Sequence, residues 1–365
     1  MKVMFAVLAS IALQYALLTL WMALRILLAD VRKKGRSRTE NVGIPAADAH
    51  PSLTILIPVK NDREALAKLL ARLQNVHVEC IVIDDNSSDG SAETARQLGA
   101  QVVANNGKGK RAALLTGLSH ASGEITITLD SDVALADDWV AQTFNALNHP
   151  NTDLWIFPVF VAPGRSFLNR FEALDALSLT ATTAAFAYQK RAIMGSGAFM
   201  ACRTELLREA LNQINDRLPS GDDTFVVQYI RSQKRPVQFV QHAAVSVEPQ
   251  STLKDLLRQR VRWGYKTPYY SDKLAIFTAW LVFFANFSWM VALTFALLGA
   301  PMFWTLVVLK PLVDALVLVT AARHFKQWHV LPMLPLALVV YPFYLVAVAS
   351  WAIFVHPDLI QKQWR

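Results

Sequence analysis

The stretch LTILIPVKNDREALAKLLARLQNVHVECIVIDDNSSDG, residues 53–90, decides the fold. Leu53 to Lys60 is a short apolar run of buried-strand type, Asp62 to Leu73 carries its leucines at helical spacing, and Glu79 to Asp84 is strand-like again. Strand, helix and strand in alternation predict a parallel sheet. The pattern continues: Gln101 to Ala104 and Ile125 to Leu129 read as strands, with a helix over Lys108 to His120 between them. The expected class is therefore α/β, Rossmann-like, with a mostly parallel sheet. Asp84, Asp85, Asp130 and Asp132 fall at carboxyl ends of strands. Ligands of open α/β sheets bind in the crevice there, so these acids are expected to converge despite their separation in sequence.

Outward from this unit, both ends of the chain are apolar. Of 365 residues, 53% are hydrophobic and 18% charged, too apolar a balance for a simple soluble protein. No charge occurs between Lys2 and Arg25, and Val3 to Leu24 is long enough to cross a hydrocarbon core of roughly 30 Å. That run is too long for a signal-peptide core, so a retained anchor is expected. The basic cluster Arg32, Lys33, Lys34, Arg36 and Arg38 follows it, and the positive-inside rule sets residue 30 onward in the cytoplasm. At the other end no charge occurs from Leu274 to Leu309, and Gly299 and Pro301 divide the run into expected spans at 274–298 and 302–322. A last span is expected at 330–355, its prolines tolerated as packed or kinked positions. The basic loop Arg323 to His329 then also falls inside, in agreement with the anchor.

The formal net charge is +8, but the basic residues are largely juxtamembrane or mixed with acidic motifs. Attraction to anionic lipid headgroups explains them more simply than nucleic acid does. Cys80 and Cys202 sit in apolar, strand-like contexts without metal or redox spacing, and are expected as reduced core thiols of a cytosolic domain. Residues 40–51 read as a linker. Ser166 to Ala187 and Ser251 to Lys266 look neither transmembrane nor fully buried. The second is amphipathic and basic, suited to the membrane interface or to a surface helix.

Residues able to carry chemistry occur in a fixed order. Asp84 and Asp85 lead into Asn86-Ser87-Ser88-Asp89-Gly90, whose acceptors can bind a base imide or ribose, or form an Asx turn and helix cap. Gly107-Lys108-Gly109-Lys110-Arg111 puts flexible backbone and cations at a helix N-terminus, as a diphosphate site or an exposed basic turn, and does not match the Walker pattern. Asp130-Ser131-Asp132 ends an apolar strand with two hard ligands for a divalent cation, although strand ends are commonly acidic. Asp222 and Asp223 are like-charged neighbours that can supply a general base or cap a helix. Gln259, Arg260, Arg262 and Trp263 join planar cations able to grip phosphate to an indole face able to stack on a sugar. A basic interfacial helix with an aromatic belt residue gives the same pattern.

In order, spacing and context, PVKND, DDNSSDG, GKGKRAAL, LDSD, GSGAFMACR, GDD and QRVRW resemble the family-2 inverting glycosyltransferases of GT-A fold. That group includes cellulose, chitin and hyaluronan synthases and ceramide glucosyltransferase, and the resemblance covers residues 53–266. It implies that Asp84 or Asp85 holds the uridine, Lys110 the diphosphate, and Asp130 and Asp132 the nucleotide with Mg2+ or Mn2+. It implies Asp223 as catalytic base, beside Asp222 where many members carry glutamate, a departure that keeps the charge and shortens the reach. Gly195, Ser196 and Gly197 look like the acceptor-side segment. Gln259, Arg262 and Trp263 match a Q-x-x-R-W motif that closes over diphosphate and acceptor.

The expected organisation is an anchor over 1–30, a basic juxtamembrane linker over 31–52, a GT-A catalytic domain over 53–250, an interface helix over 251–270, and a three-span region over 271–365. One span before and three after look more like lipid glycosyltransferases than like polymer synthases, which usually carry more helices to form a channel. The implied partners are a UDP-sugar donor, a lipid acceptor and membrane lipids, with no nucleic acid. A haloacid-dehalogenase-type phosphatase also begins with an apolar strand and D-x-D, but Ala134 stands where Thr or Val is wanted and a complete α/β unit precedes it. Lys310 and Asp314 lie inside the 302–322 span at a spacing that lets them pair. They are the best support for a non-catalytic membrane scaffold or transporter.

Overall fold

The computed structural model describes residues 1–36, 51–148, 151–214 and 222–354. Helix α1 (Lys2–Arg36) leads to an alternating unit of β1 (Leu53–Val59), α2 (Arg63–Leu73), β2 (Glu79–Asp84), α3 (Ser91–Gln97), β3 (Gln101–Ala104), α4 (Gly109–His120) and β4 (Ile125–Leu129). Less regular elements follow: β5 (Val133–Leu135), α5 (Trp139–Leu147), β6 (Leu154–Ile156), β7 (Val159–Val161) and α6 (Phe167–Ala187). Next come β8 (Phe199–Arg203), α7 (Thr204–Asn212), α8 (Asp222–Ser232), β9 (Val237–Phe239) and β10 (Val245–Val247). The described chain closes with α9 (Leu253–Gly264), α10 (Lys273–Leu297), α11 (Trp304–His324) and α12 (Leu334–Phe354).

The main sheet has seven strands in the order β3-β2-β1-β4-β8-β6-β9. Strands β3, β2, β1 and β4 are parallel, β8 runs antiparallel between β4 and β6, and β9 is parallel to β6. Ile55, Leu56 and Ile57 of β1 and Ile125, Ile127 and Leu129 of β4 are fully buried, as a parallel sheet covered on both faces requires. Helix α2 turns Leu66, Leu69, Leu70 and Leu73 inward, one stripe at helical spacing. Each such leucine stabilises the fold by about 1.5–3 kcal/mol. Helix α4 comes close to the sheet at Gly117, where a Cβ would meet Ile83 Cδ1 at 2.8 Å and Leu56 Cδ2 at 3.0 Å. That contact holds the C-terminal half of α4 against β1 and β2. A second sheet, β5-β10-β7, lies beside the main one.

Helix α6 departs from the expectation for Ser166 to Ala187. It packs between β7 and the apolar helices α1 and α11, and most of it is buried, Glu172 and Asp175 included. Its acids disguised a core helix, because their charge is met by Arg260 of α9. Helix α9 is amphipathic as expected, packing Val261 against Val348 and Ala352 of α12, yet it also buries that arginine.

Among the described residues four helical segments are long and apolar enough to cross a membrane: Lys2–Val31, Lys273–Leu297, Pro301–His324 and Trp328–Phe354. Lys310 and Asp314 do pair, Nζ to Oδ2 at 2.6 Å, and the Tyr15 hydroxyl donates to Asp314 Oδ1 at 2.6 Å, so α1 and α11 share the charge. At the other end of α11, His324 meets Asp30 of α1 at 2.7 Å and the Tyr188 hydroxyl at 2.7 Å, which ties the apolar helices to the α/β unit. Both cysteines are free thiols, and burial pushes Cys80 up to about 12. The linker residues 37–50 with Arg38, the side chains of Arg32, Lys33, Lys34 and Arg36, and residue 355 lie outside the described residues.

Candidate active site

The end of β4 carries Asp130 and Asp132, and the loop before β8 carries Gly195, Ser196 and Gly197. The Asp130 N–H donates to the Ala198 carbonyl at 3.1 Å, which ties the two segments together. Lys110, in the first turn of α4, reaches across them: its ammonium bonds the Asp130 carboxylate, and the Gly197 carbonyl at 3.0 Å. From the opposite side Asp223, at the start of α8, accepts from the Gly197 N–H at 2.8 Å and from the Thr224 N–H at 2.7 Å. A Cβ at Gly197 would lie 3.0 Å from Lys110 Nζ and 3.3 Å from Asp223 Oδ2, so the close approach of these groups requires glycine. Asp222 opens the same helix, and its side chain lies outside the described residues.

Asp132 is exposed to the cavity. Desolvation by the protein atoms around it, followed by the charges of Asp130 and Asp62, pushes its carboxyl up to about 6, and water in the cavity works against that shift. Asp62, which sequence reasoning did not single out, is held by the Ser131 hydroxyl at 2.6 Å. Three carboxylates drawn together in this way are the kind of donor set a hard divalent cation relieves. Among the described residues no group of three His, Cys, Asp or Glu side chains is arranged to hold a metal alone, so a cation at Asp130 and Asp132 would take further oxygens from a bound ligand.

Gln259, Arg262 and Trp263 of α9 reach the same cavity. Arg260 does not fit the phosphate-gripping part its residue type suggested. It is 7% exposed, its Nε donates to Asp175 Oδ2 at 2.7 Å, and Glu172 lies 4.0 Å from its guanidinium. Burial alone would lower its pKa, and Asp175 with Glu172 reverses that and raises it. The guanidinium also stands 4.3 Å from the centre of the Trp263 ring and bonds the Gln259 amide oxygen. Arg260 thus fixes two motif side chains from behind.

Asp84 and Asp85 stand apart from this group. Asp84 accepts from the Ser87 N–H at 3.2 Å, the Asx-type turn that its loop composition allowed. Asp85 is 8% exposed and accepts from the Gly109 N–H at 3.1 Å and Asn105 Nδ2 at 2.6 Å, so it anchors the start of α4. Neither borders the cavity.

One cavity of about 660 Å3 joins Lys110, Asp130, Asp132 and Asp223 to the three α9 side chains and the 195–197 loop. The same cavity runs on between the apolar helices, where Tyr15, Phe283, Val317 and Tyr341 line it. Tyr270 borders it too, pushed up to about 12 by burial and by the nearby Asp223.

Residues 54–211 match the family model described as glycosyl transferase family 2. The chain carries a family-2 glycosyltransferase domain. A stretch of 96 residues is 42% identical to 4,4'-diaponeurosporenoate glycosyltransferase of Staphylococcus haemolyticus, covering 24% of this chain and 26% of that protein. Undecaprenyl-phosphate 4-deoxy-4-formamido-L-arabinose transferase of Edwardsiella ictaluri is 35% identical over 94 residues, 22% of this chain and 29% of that one. This chain therefore matches only 26% and 29% of the length of these curated relatives. Among solved structures, a mannosyltransferase from Pyrobaculum calidifontis in complex with GDP-Man and Mn2+ aligns with a TM-score of 0.51 at 18% identity, over 95% of this chain and 99% of that one. That likeness concerns the fold, which is GT-A-like.

The family match ends before Asp223 and before α9, so the structure alone brings those residues to the domain. Glu172 and Asp175 were missed as site-supporting residues. Their signal was a pair of acids three residues apart on an otherwise apolar helix, a pattern that asks for a buried cation opposite.

Proposed function

We propose that this glycosyltransferase moves a sugar from a UDP-sugar to a hydroxyl of a membrane lipid, inverting the anomeric centre. The observation that carries the proposal is the single cavity linking the carboxylates at the end of β4 to the space among the apolar helices. A soluble acceptor would need no such extension. The relatives named above act, by their names, on a diaponeurosporenoate and on undecaprenyl phosphate, which supports an acceptor of lipid character.

In this reading Asp223, oriented by two backbone N–H groups, takes the proton of the acceptor hydroxyl. The acceptor oxygen forms its bond to the anomeric carbon as the bond from that carbon to the diphosphate oxygen breaks, and the nucleotide departs with the electron pair. General-base help of this kind contributes about 10²–10⁴ in rate. Lys110 and Arg262 hold the diphosphate, Gln259 orients it, and Trp263 offers a face to the sugar. Asp84 and Asp85 set the loop at the uridine end. Mg2+ or Mn2+, held by Asp130 and Asp132, would neutralise charge on the departing diphosphate, and the similar mannosyltransferase was solved with Mn2+. The loop of 195–197 and Trp263 border the acceptor. The basic cluster that begins in the last turns of α1 supports placing the catalytic domain on the cytoplasmic face of the cell membrane.

The test is mass spectrometry of membrane lipids from cells with and without the protein, joined to a nucleotide-release screen over donor sugars. Discrete new glycolipids and release from one UDP-sugar are expected. Long polymer in place of discrete lipids, or no release from any donor, would overturn the proposal.

A further inference from the structure

Tyr270 stands in the short segment that joins α9 to α10, and it borders the cavity. Helix α8, which begins with Asp222 and Asp223, grips this segment. The Gln228 amide oxygen accepts from the Ser271 N–H at 3.0 Å and from the Asp272 N–H at 3.4 Å, and Arg231 pairs with the Asp272 carboxylate. Phe225 meets the Tyr270 ring edge to face, ring centres 5.7 Å apart. The helix that carries the proposed base therefore also sets the place of this phenol.

The ring is fixed, but its hydroxyl is not spent on the fold. It makes no hydrogen bond with another described residue, and unlike the Tyr344 hydroxyl it is not sealed by the surrounding protein, so it is open to a molecule in the cavity. Burial and then the charge of Asp223 push the phenol up to about 12, and the Thr224 side chain tempers that rise although the two hydroxyls do not meet in hydrogen-bond geometry. A phenol held that high keeps its proton at ordinary working pH, so it serves as a donor and not as a base. The other donors around Asp223 are committed: the Gly197 and Thr224 N–H groups bond its carboxylate, and Lys110 bonds Asp130 and the Gly197 carbonyl.

An acceptor hydroxyl that gives its proton to Asp223 and attacks the anomeric carbon uses its O–H bond and one lone pair. A donor on the second lone pair stops the hydroxyl from turning about its C–O bond and keeps the first aimed at the carbon. We propose that the Tyr270 hydroxyl is this donor, a further catalytic residue that hydrogen-bonds the acceptor oxygen while Asp223 takes the acceptor proton. The phenol keeps its own proton throughout, and the electron pair of the acceptor oxygen forms the new bond as the bond to the diphosphate oxygen breaks. This rests on the lipid-acceptor reading above and adds a residue to it.

The purified full chain in detergent is given UDP-glucose, UDP-galactose or UDP-N-acetylglucosamine with dioleoylglycerol, a ceramide or a polyprenol, and the pair with the highest kcat/KM is carried forward. Rates are divided by the number of UDP-binding sites, so partial loss of folded protein cancels. Tyr270→Phe keeps the ring against Phe225 and removes only the hydroxyl. It should lower kcat/KM for the lipid by about 2- to 10-fold, the range for one lost hydrogen bond, with KM for the donor unchanged. Tyr269→Phe removes an exposed phenol one position away and should alter neither value. In an Asp223→Asn background Tyr270→Phe should cost less than about 2-fold, because the oxygen it orients no longer loses its proton to that residue. An unchanged kcat/KM for the lipid in Tyr270→Phe, or an equal loss with and without Asp223, overturns the proposal while the transfer reading stands. No transfer from any pair removes both.

Discussion

The carboxylates around Asp130 and the group formed by Asp175, Glu172 and Arg260 border one cavity, but the first is open to it and the second is closed. The side chains of Lys110 and Asp130 are 25% and 33% exposed, whereas those of Arg260 and Asp175 are 8% and 4% exposed. An ion pair that keeps water on one side can exchange partners when a charged ligand arrives. A sealed pair cannot do so without stranding a charge, and it serves instead to hold α9 on α6. The same residue types thus divide between chemistry and alignment according to burial.

Substitutions test this division. Asp223→Asn keeps the shape of the open group and removes the proposed base, so transfer should fall about 10²–10⁴-fold while nucleotide binding stays near its original strength. Full turnover by this variant would remove Asp223 from the chemistry. Arg260→Met breaks the sealed group and leaves two acids buried, which should destabilise the protein by about 3–5 kcal/mol, seen as a lower midpoint in thermal unfolding. A variant as stable as the original would mean that α9 is held some other way.

Lys310→Met extends the comparison to the apolar helices, where Asp314 would keep only the Tyr15 hydroxyl. An unpaired charge there costs about 2.5–3.5 kcal/mol on insertion scales, so the yield of folded protein should drop and recover in the double variant with Asp314→Asn. Unchanged yield in the single variant would argue that the pair is dispensable.

The smallest effect concerns pH. Asp132 keeps its proton in the folded protein up to about 6 and releases it near about 3.9 when unfolded. Between those values the folded state binds more protons, so in metal-free protein stability should decline as pH rises through this window. Water in the cavity screens part of the effect, and a change in melting temperature on the order of one or two degrees is expected. Asp132→Asn should flatten the slope, and an unaltered slope would assign it to another group.

The strands β1, β2 and β4 were legible as continuous apolar runs alternating with segments of helical spacing. The strands β5, β6, β7, β9 and β10 have three residues each and leave no period to read. The spans were legible for the opposite reason, since a long uncharged run has few other uses. Helix α6 was not, because Glu172 and Asp175 look solvent-facing until Arg260 is found 85 positions beyond Asp175. Asp130 and Asp132 could be placed at a strand end, but nothing in sequence spacing shows that α9 and the apolar helices close one cavity over them. That closure depends on contacts such as Val261 with Val348 and Ala352, which join segments far apart in the chain.

The central claim is that donor carboxylates and a lipid-facing base share one chamber. It is tested most directly by the rate of nucleotide release from the purified protein, measured with and without acceptor lipid, in the original chain and in Asp223→Asn. The account expects lipid to accelerate release in the original chain and to leave the variant unaccelerated although it still binds the donor. Release at one rate with or without lipid, in both proteins, would contradict it.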